Sequence, residues 1–409
     1  MLTGTNLTYT KEYNLRIVHE TIRLYGPLSR AEIARRTELT PQTVSNLVRD
    51  LMALDLIVES GRRQEGRGAP SITLALNPDG AYSIGLDLDR DHLTALLVDH
   101  AGTVRQRIHH HLDFPSPDEA LALMVETVHE LTARQGLNLA QVRGVGIGVP
   151  GPMNIAESNG RTYLINPKAF KGWHDVPIAD LLHQRLGIPV FLENNATAAA
   201  MGERWYGAGQ HLSSFFYFYF GSGLGGGLVV QGQPYEGFTG NAGEIGYFPA
   251  FSTEKPCLDL EREHVGQHFN LPRLYRILQA EGLEAGTPED LERLFEARNP
   301  LLLAWIDSAA HHLSWLALAV EYLVDPEAVF FGGRLADSIL NALLERVGER
   351  LPALRISGKR THPEYLIATA GIDAGALGVA TLPIYEIFAP VHRILVKQPD
   401  GRPVLHPAR

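Results

Sequence analysis

The sequence predicts an α/β protein with an internal repeat, carried behind a small helical module that ends in a β-hairpin. Three observations lead there. The apolar run Ile188 to Leu192 passes through Glu193, Asn194 and Asn195 into a small-residue helix pattern beginning Ala196 to Met201. Two strand-turn-strand patterns, opening at Tyr82 and Phe215, stand at the head of two similar stretches. Before either, residues 1 to about 75 alternate helical patterns with turn signals. Polar side chains at the carboxyl end of a buried strand, against a helix start, form the place where open α/β sheets bind ligands.

The composition bounds the problem. A chain of 409 residues with 45% apolar content can bury more than one core, since single cores seldom grow beyond roughly 250 to 300 residues. Two or three domains are expected. No apolar run reaches the length of about 18 residues that a membrane helix needs, and Met1 to Lys11 lacks a basic segment followed by an apolar one. A soluble, cytoplasmic protein is expected. The single cysteine, Cys257, excludes an intramolecular disulfide and a multi-cysteine zinc site. The net charge of -10 is uneven: residues 1 to 73 hold ten Lys/Arg against eight Asp/Glu, or +2, leaving -12 for the rest. A weakly basic module on an acidic body fits a DNA reader joined to something else.

Within that module the first helix is predicted from Lys11 to Tyr25, with Leu15, Val18, Ile22 and Tyr25 at helical spacing and Gly26-Pro27 as the stop. Ser29 with Glu32 reads as a capping box, opening a second helix from Arg30 to about Thr37. Thr40 followed by Pro41 reads as N-cap and first position of a third. Its buried face is Val44, Leu47, Val48 and Leu51. Its other face carries Gln42, Thr43, Ser45, Asn46 and Arg49, the donors and acceptors that a major groove can accommodate. Leu56 to Glu59 and Ile72 to Leu76 read as strands. Between them lies a loop, Gly61 to Pro70, whose Arg62, Arg63 and Arg67 among glycines suit phosphates or a narrow minor groove. The pattern is a winged helix-turn-helix.

Asn77-Pro78-Asp79-Gly80 marks the boundary. Tyr82 to Leu88, Leu93 to Asp99 and Val104 to Leu112 read as antiparallel strands, and Ser116 to Glu119 caps a helix reaching about Gln135. Gly144 to Val149 is a buried strand ending in Pro150-Gly151-Pro152. The pattern returns as Phe215 to Phe220, a glycine loop Gly221 to Gly227, and Leu228 to Val230.

These motifs, in order, resemble the ROK family of sugar kinases and sugar-responsive repressors: Gly144-Val-Gly-Ile-Gly-Val-Pro-Gly-Pro152, Glu193-Asn-Asn-Ala-Thr followed by Gly202-Glu203, the glycine loop, Gly240-Asn-Ala-Gly-Glu-Ile-Gly246, Val329-Phe-Phe-Gly-Gly333 and Ala374-Gly-Ala-Leu-Gly378. The resemblance covers about residues 81 to 388. It implies a two-lobed actin-like ATPase (ribonuclease H-like) fold behind the winged helix-turn-helix that ROK repressors carry. The implied domains are 1–76 for DNA binding, 81–195 with 372–388 returning for the first lobe, 196–371 for the second, and a tail, 389–409.

The family's motif is close to E-N-D-A-N, so the position of its catalytic aspartate is Asn195. An amide cannot deprotonate a sugar hydroxyl, and losing a general base costs roughly a hundred- to ten-thousand-fold. The family's first phosphate hairpin reads close to D-x-G-G-T, whereas Asp87-Leu88 is followed by Asp89, Arg90 and Asp91. A carboxylate about 4 Å from a phosphate charge costs on the order of 4 kcal/mol at an effective dielectric near 20. Gly221, Gly223 and Gly225 are either a nucleotide-loop remnant or a turn that keeps the lobe's shape. The resemblance nominates Asn194, Asn195, Glu244 and Asp259 for sugar binding, with Asn241, Asn166 and Trp173 in second place. Where relatives place a zinc-binding histidine this chain has Tyr247, and of the following cysteine motif only Cys257 and Asp259 correspond. No metal and no cofactor are expected from those positions, although Cys257, His264 and His268 are a conceivable substitute.

The expected function is a sugar-responsive transcriptional regulator, a repressor with operator DNA and a small carbohydrate as partners, working as a homodimer or homotetramer. The alternative is an ATP-dependent carbohydrate kinase with a DNA-binding appendage. A third reading is a regulator whose body mainly mediates assembly.

Overall fold

The computed structural model describes residues 7–64, 70–157, 161–165, 172–250, 264–358 and 361–390. The amino-terminal module comprises α1 (Leu7–Tyr25), β1 (Leu28–Ser29), α2 (Arg30–Thr37), α3 (Pro41–Ala53), β2 (Ile57–Arg63) and β3 (Ser71–Leu76). The caps lie where the sequence put them: Ser29 and Glu32 form a reciprocal capping box, and the Thr40 hydroxyl accepts the Thr43 N–H at 3.2 Å. Helix α1 starts at Leu7, earlier than the expected Lys11. Val18, Ile22, Ile33, Val44, Leu47, Val48, Leu51 and Leu74 close one core. The wing departs from expectation: β2 runs on to Arg63, pairing Arg62 with Ile72 and Arg63 with Ser71, so Gly61 to Arg63 are strand and not loop. Ladder hydrogen bonds to β3 carry the hairpin past a bulge between Glu59 and Gly61.

The body is two five-stranded sheets of matching design. The first is built from β4 (Tyr82–Leu88), β5 (His92–Asp99), β6 (Val104–His111), β7 (Val142–Val149) and β10 (Val190–Asn194), in the order β10-β7-β4-β5-β6. Helices α4 (Pro117–Gln135) and α5 (Ile178–Leu186) cover one face, and a small hairpin, β8 (Met153–Glu157) with β9 (Arg161–Ile165), follows β7. Helix α6 (Asn195–Tyr206) leads to the second sheet. That sheet holds β11 (Phe215–Phe220), β12 (Leu224–Val230), β13 (Gln233–Pro234), β14 (Ala328–Gly333) and β15 (Glu364–Ile367), ordered β13-β12-β11-β14-β15. Helices α7 (Leu271–Ala280), α8 (Pro288–Glu296), α9 (Pro300–Leu323) and α10 (Asp337–Leu354) close its core, and α11 (Ala374–Phe388) returns to the first sheet. Each sheet begins with an antiparallel hairpin and continues with parallel strands, which is the internal repeat.

Gly225, Gly226 and Gly227 belong to β12, which begins at Leu224, so the loop between β11 and β12 is only Gly221 to Gly223 and not the expected Gly221 to Gly227. The glycines serve packing, because α6 lies directly on this strand: a Cβ on Gly227 would stand 2.4 Å from the Ala196 carbonyl oxygen.

Helices α6 and α11 pack against each other between the sheets. A Cβ on Gly378 would sit 1.6 Å from the Ala198 carbonyl oxygen, so only glycine permits this approach. The pair also holds the amino-terminal module. From α1, Arg16 donates to the Glu386 and Ala389 carbonyls at the end of α11, at 3.1 and 3.0 Å, satisfying helix-terminal acceptors. Arg23 lies 4.2 Å from the centroid of the Trp205 ring at the end of α6 and donates to the Trp205 carbonyl at 3.1 Å. The rings of His19 and His100 meet at 2.9 Å between their Nε2 atoms, beneath Phe388. Burial pushes the His19 imidazole down to about 3 and that of His100 well below its usual value, so the pair is neutral. Among the described residues no helix is long and apolar enough to cross a membrane.

Candidate functional site

The first candidate surface is the exposed side of α3 with the wing. Gln42, Asn46 and Arg49 are exposed, and Thr43 and Ser45 half-buried. Asn46 Oδ1 accepts from Gln42 at 3.3 Å and from Arg49 at 3.1 Å, which lines three side chains along the helix. Ser45 donates to the Pro41 carbonyl at 2.8 Å, and the Thr43 hydroxyl bonds that of Thr40 at 2.9 Å. Arg62 and Arg63 are exposed on β2, Arg63 standing 3.9 Å from the Glu32 carboxylate. Arg67 lies outside the described residues.

The second candidate is a cavity of about 360 Å³ between the lobes. Its floor is the junction of β10 and α6. Asn194 caps α6, its Oδ1 accepting the Ala196 N–H at 2.8 Å, and its amide donates to Glu244 Oε1 at 3.1 Å. Asn195 donates to Asp87 Oδ1 at 3.1 Å, while its own Oδ1 is buried without a hydrogen-bond partner among the described residues. Glu244 approaches the turn after β7 so closely that a Cβ on Gly151 would stand 1.9 Å from Oε1. Burial pushes the Glu244 carboxyl up to about 7. The neighbouring Glu193 rises to about 8 through burial, then through the charge of Glu236, against the opposing Asn194 N–H bond.

The two hairpins meet across this cavity. Asp87 is already compensated, with the Asn195 amide on one oxygen and His92 Nε2 at 3.7 Å from the other, within ion-pair reach but too long for a hydrogen bond. Burial opposes charge on His92, yet Asp87 and Asp91 outweigh it and raise the imidazole to about 9. Asp89 accepts the Arg90 N–H at 2.7 Å. Arg90 then reaches across to the other lobe and donates to the Ser222 carbonyl and hydroxyl at 3.2 and 3.0 Å. A guanidinium thus joins the turn after β4 to the turn after β11. Gly221, Gly223 and Gly225 line the same cavity as Asn194, Asn195 and Glu244.

The remaining polar candidates have other partners. Both polar groups of Asn241 are taken by the Met153 backbone, its Oδ1 accepting the N–H and its amide donating to the carbonyl, each at 2.7 Å, so it clasps the lobes together. Trp173 is buried and donates to the Pro115 carbonyl at 2.8 Å, a role in the first core. Asp259, Cys257 and Asn166 lie outside the described residues. His264 bonds the Gly246 carbonyl at 2.9 Å, whereas the His268 ring packs 4.2 Å from that of His312, so the two histidines face different neighbours. Among the described residues no three His, Cys, Asp or Glu side chains are grouped to hold a metal. The cavity also has lining residues that no motif marked: Gln267, Asn270, Arg273 and Arg276.

Comparison with known proteins decides the family. The sequence profile of the ROK family matches residues 83–385. The chain belongs to the ROK family. A MarR family profile matches residues 7–68, the three helices and the first strand of the wing. The xylose repressor of Bacillus spizizenii is 26% identical over 92% of this chain and 96% of its own length. Among solved structures, a ROK family transcriptional regulator described as a homologue of the E. coli MLC protein has a TM-score of 0.72 over 95% of this chain and 99% of its own, at 20% identity. A ROK hexokinase from Thermus thermophilus, 27% identical, has a TM-score of 0.54 and covers 73% of this chain and 96% of its own. The regulators match module and body together, whereas the kinase leaves about a quarter of this ROK chain unmatched.

Proposed function

We propose that this ROK protein is a sugar-responsive DNA-binding transcriptional repressor whose body senses a small carbohydrate without phosphorylating it. The observation that carries this reading is Asn195: the cavity floor offers an amide where a sugar kinase needs a carboxylate base, and an amide still hydrogen-bonds a hydroxyl as donor or acceptor. Residues 1–76 are the operator-binding part, 81–195 with 372–388 and 196–371 are the two lobes, and 389–409 is a tail. Asn194, Asn195 and Glu244 read sugar hydroxyls, with Asp259 as a further candidate. Gln42, Thr43, Ser45, Asn46 and Arg49 face the DNA major groove, and Arg62, Arg63 and Arg67 its phosphates.

Three facts support the reading. The xylose repressor aligns over module and body together. Arg90 bridges the two hairpins to which the family resemblance assigns phosphate binding, donating to Ser222 from the other lobe. A Cβ on Gly225 would stand 2.7 Å from the Ala196 Cβ, so that glycine is required by the packing of α6 on β12. Because one helix-turn-helix reads only a few base pairs, two copies on a two-fold site are part of the proposal.

The competing kinase reading makes a different measurable statement. Calorimetry of the purified chain with monosaccharides, run with and without ATP and followed by an assay for ADP, separates the two. Sugar binding without ADP formation is the expected result; steady ATP-dependent phosphorylation would establish the kinase instead.

A further inference from the structure

We propose that the effector is an anionic carbohydrate, bound with its hydroxyl end on the cavity floor and its anionic group at the mouth against Arg273 and Arg276. This rests on the sugar-sensing reading above and names the ligand class of that same cavity. Asn270 caps α7, its Oδ1 accepting the Arg273 N–H at 2.9 Å, and so fixes the start of a helix that buries Leu271, Leu274 and Tyr275 in the core and turns its other face to the cavity. Arg273 and Arg276 stand one turn apart on that helix, are exposed, and line the cavity. Among the described residues neither has a carboxylate within ion-pair distance. The one side-chain hydrogen bond of the two is that of Arg276 to the Pro272 carbonyl of its own turn, at 3.4 Å. A pair of exposed guanidinium forks on the cavity lining, with no carboxylate beside them among the described residues, recognises carboxylate or phosphate by charge and by planar, two-pronged hydrogen bonding.

The remaining charges of the lining do not cancel them. The Asp89 carboxylate is turned back onto the Arg90 N–H of its own loop, and Arg90 is tied to Ser222. Glu244 is held by burial near the pH at which about half of such groups are neutral. The cavity is therefore polar at the Asn194–Glu244 end, where burial favours the uncharged form of Glu244, and cationic at the α7 end. A volume of about 360 Å³ lies at the small end of ligand pockets, roughly 300 to 1,000 Å³, and suits one monosaccharide-sized molecule that is itself uncharged at one end and anionic at the other.

The test is calorimetry on the full chain with glucose, mannose and N-acetylglucosamine, their 6-phosphates, gluconate, and inorganic phosphate alone. At least one 6-phosphate or gluconate is expected to bind about tenfold or more tightly than its neutral parent, the factor for one charge-assisted hydrogen bond. Preference for gluconate points to a sugar acid, and preference confined to the 6-phosphates points to a phosphorylated sugar. In Arg273→Ala/Arg276→Ala the ratio of anionic to neutral affinity is expected to fall to about one, with the unfolding midpoint unchanged; Arg273→Lys/Arg276→Lys is expected to keep part of the ratio. Equal affinity for neutral and anionic sugars, a ratio that survives the double alanine variant, or inorganic phosphate binding as tightly as a sugar phosphate would each overturn the anionic class while leaving sugar sensing intact. If neither these sugars nor the monosaccharides of the preceding test bind, the sensing reading itself falls.

Discussion

At the scale of single residues the account turns on exchanges between groups of similar shape and different chemistry. Asn195 keeps the hydrogen-bonding volume of a carboxylate but not its basicity, and its amide is spent on Asp87. Asn195→Asp alone is therefore expected not to produce kinase activity, because Arg90 still joins the hairpins. Glu244→Ala is expected to abolish the sugar response while leaving sugar-free DNA binding near normal; calorimetry and DNA titration on both variants check this, and an unaltered response in Glu244→Ala would remove Glu244 from the site. Glu193 supplies a pH test. Its carboxyl rises from 4.5 unfolded to about 8 folded, so the folded state binds the extra proton. That stabilisation is complete below about pH 4.5 and is lost as pH climbs through 8. Denaturant unfolding is expected to show stability falling by a few kcal/mol over this window, and Glu193→Gln to flatten much of the decline. A wild-type curve that rises across the same range would show that Glu193 is not held neutral.

At the scale of elements, what could be read in advance and what could not have different physical causes. Caps are local, so Ser29–Glu32, Thr40–Pro41 and Ser116–Glu119 were legible three residues at a time and lie where expected. The start of β12 was not, because its glycines look like a loop until α6 is laid on them. The strand nature of Arg62 and Arg63 comes from pairing with β3, a partner that local composition does not reveal. Arg273 and Arg276 were missed because an amphipathic helix carries exposed arginines for many reasons, and only the tertiary path of α7 sets these two on the cavity. Replacing Arg62, Arg63 and Arg67 together by alanine is expected to weaken DNA binding and flatten its salt dependence, each lost phosphate contact lowering the logarithmic slope by about 0.9. Unchanged affinity and slope would remove the wing from the interface. Helix α6 runs from the cavity floor at Asn194 to the Arg23–Trp205 contact with α1. Arg23→Ala is expected to reduce the factor by which sugar changes DNA affinity without changing sugar affinity itself; a factor equal to that of wild type would mean that coupling runs elsewhere.

At the scale of the whole molecule, two matched sheets enclose the cavity, and a pair of close-packed helices joins their interior to the DNA-binding module. A ligand that binds two arrangements of these lobes with different affinity shifts their populations, and the contacts of α1 with α6 and α11 are the route the proposal gives for biasing the module. Thermodynamic linkage makes the effect reciprocal: DNA must change sugar affinity by the same factor that sugar changes DNA affinity. The measurement that tests the central claim most directly is an anisotropy titration of wild-type protein against a duplex that it has itself selected from a random-sequence library, with and without each sugar and sugar phosphate named above. The account predicts tight, salt-dependent binding with two chains per duplex, and at least one carbohydrate that shifts the DNA dissociation constant by about fivefold or more, with no ATP present. A dissociation constant that no carbohydrate moves, or moves only when ATP is supplied and consumed, would contradict it.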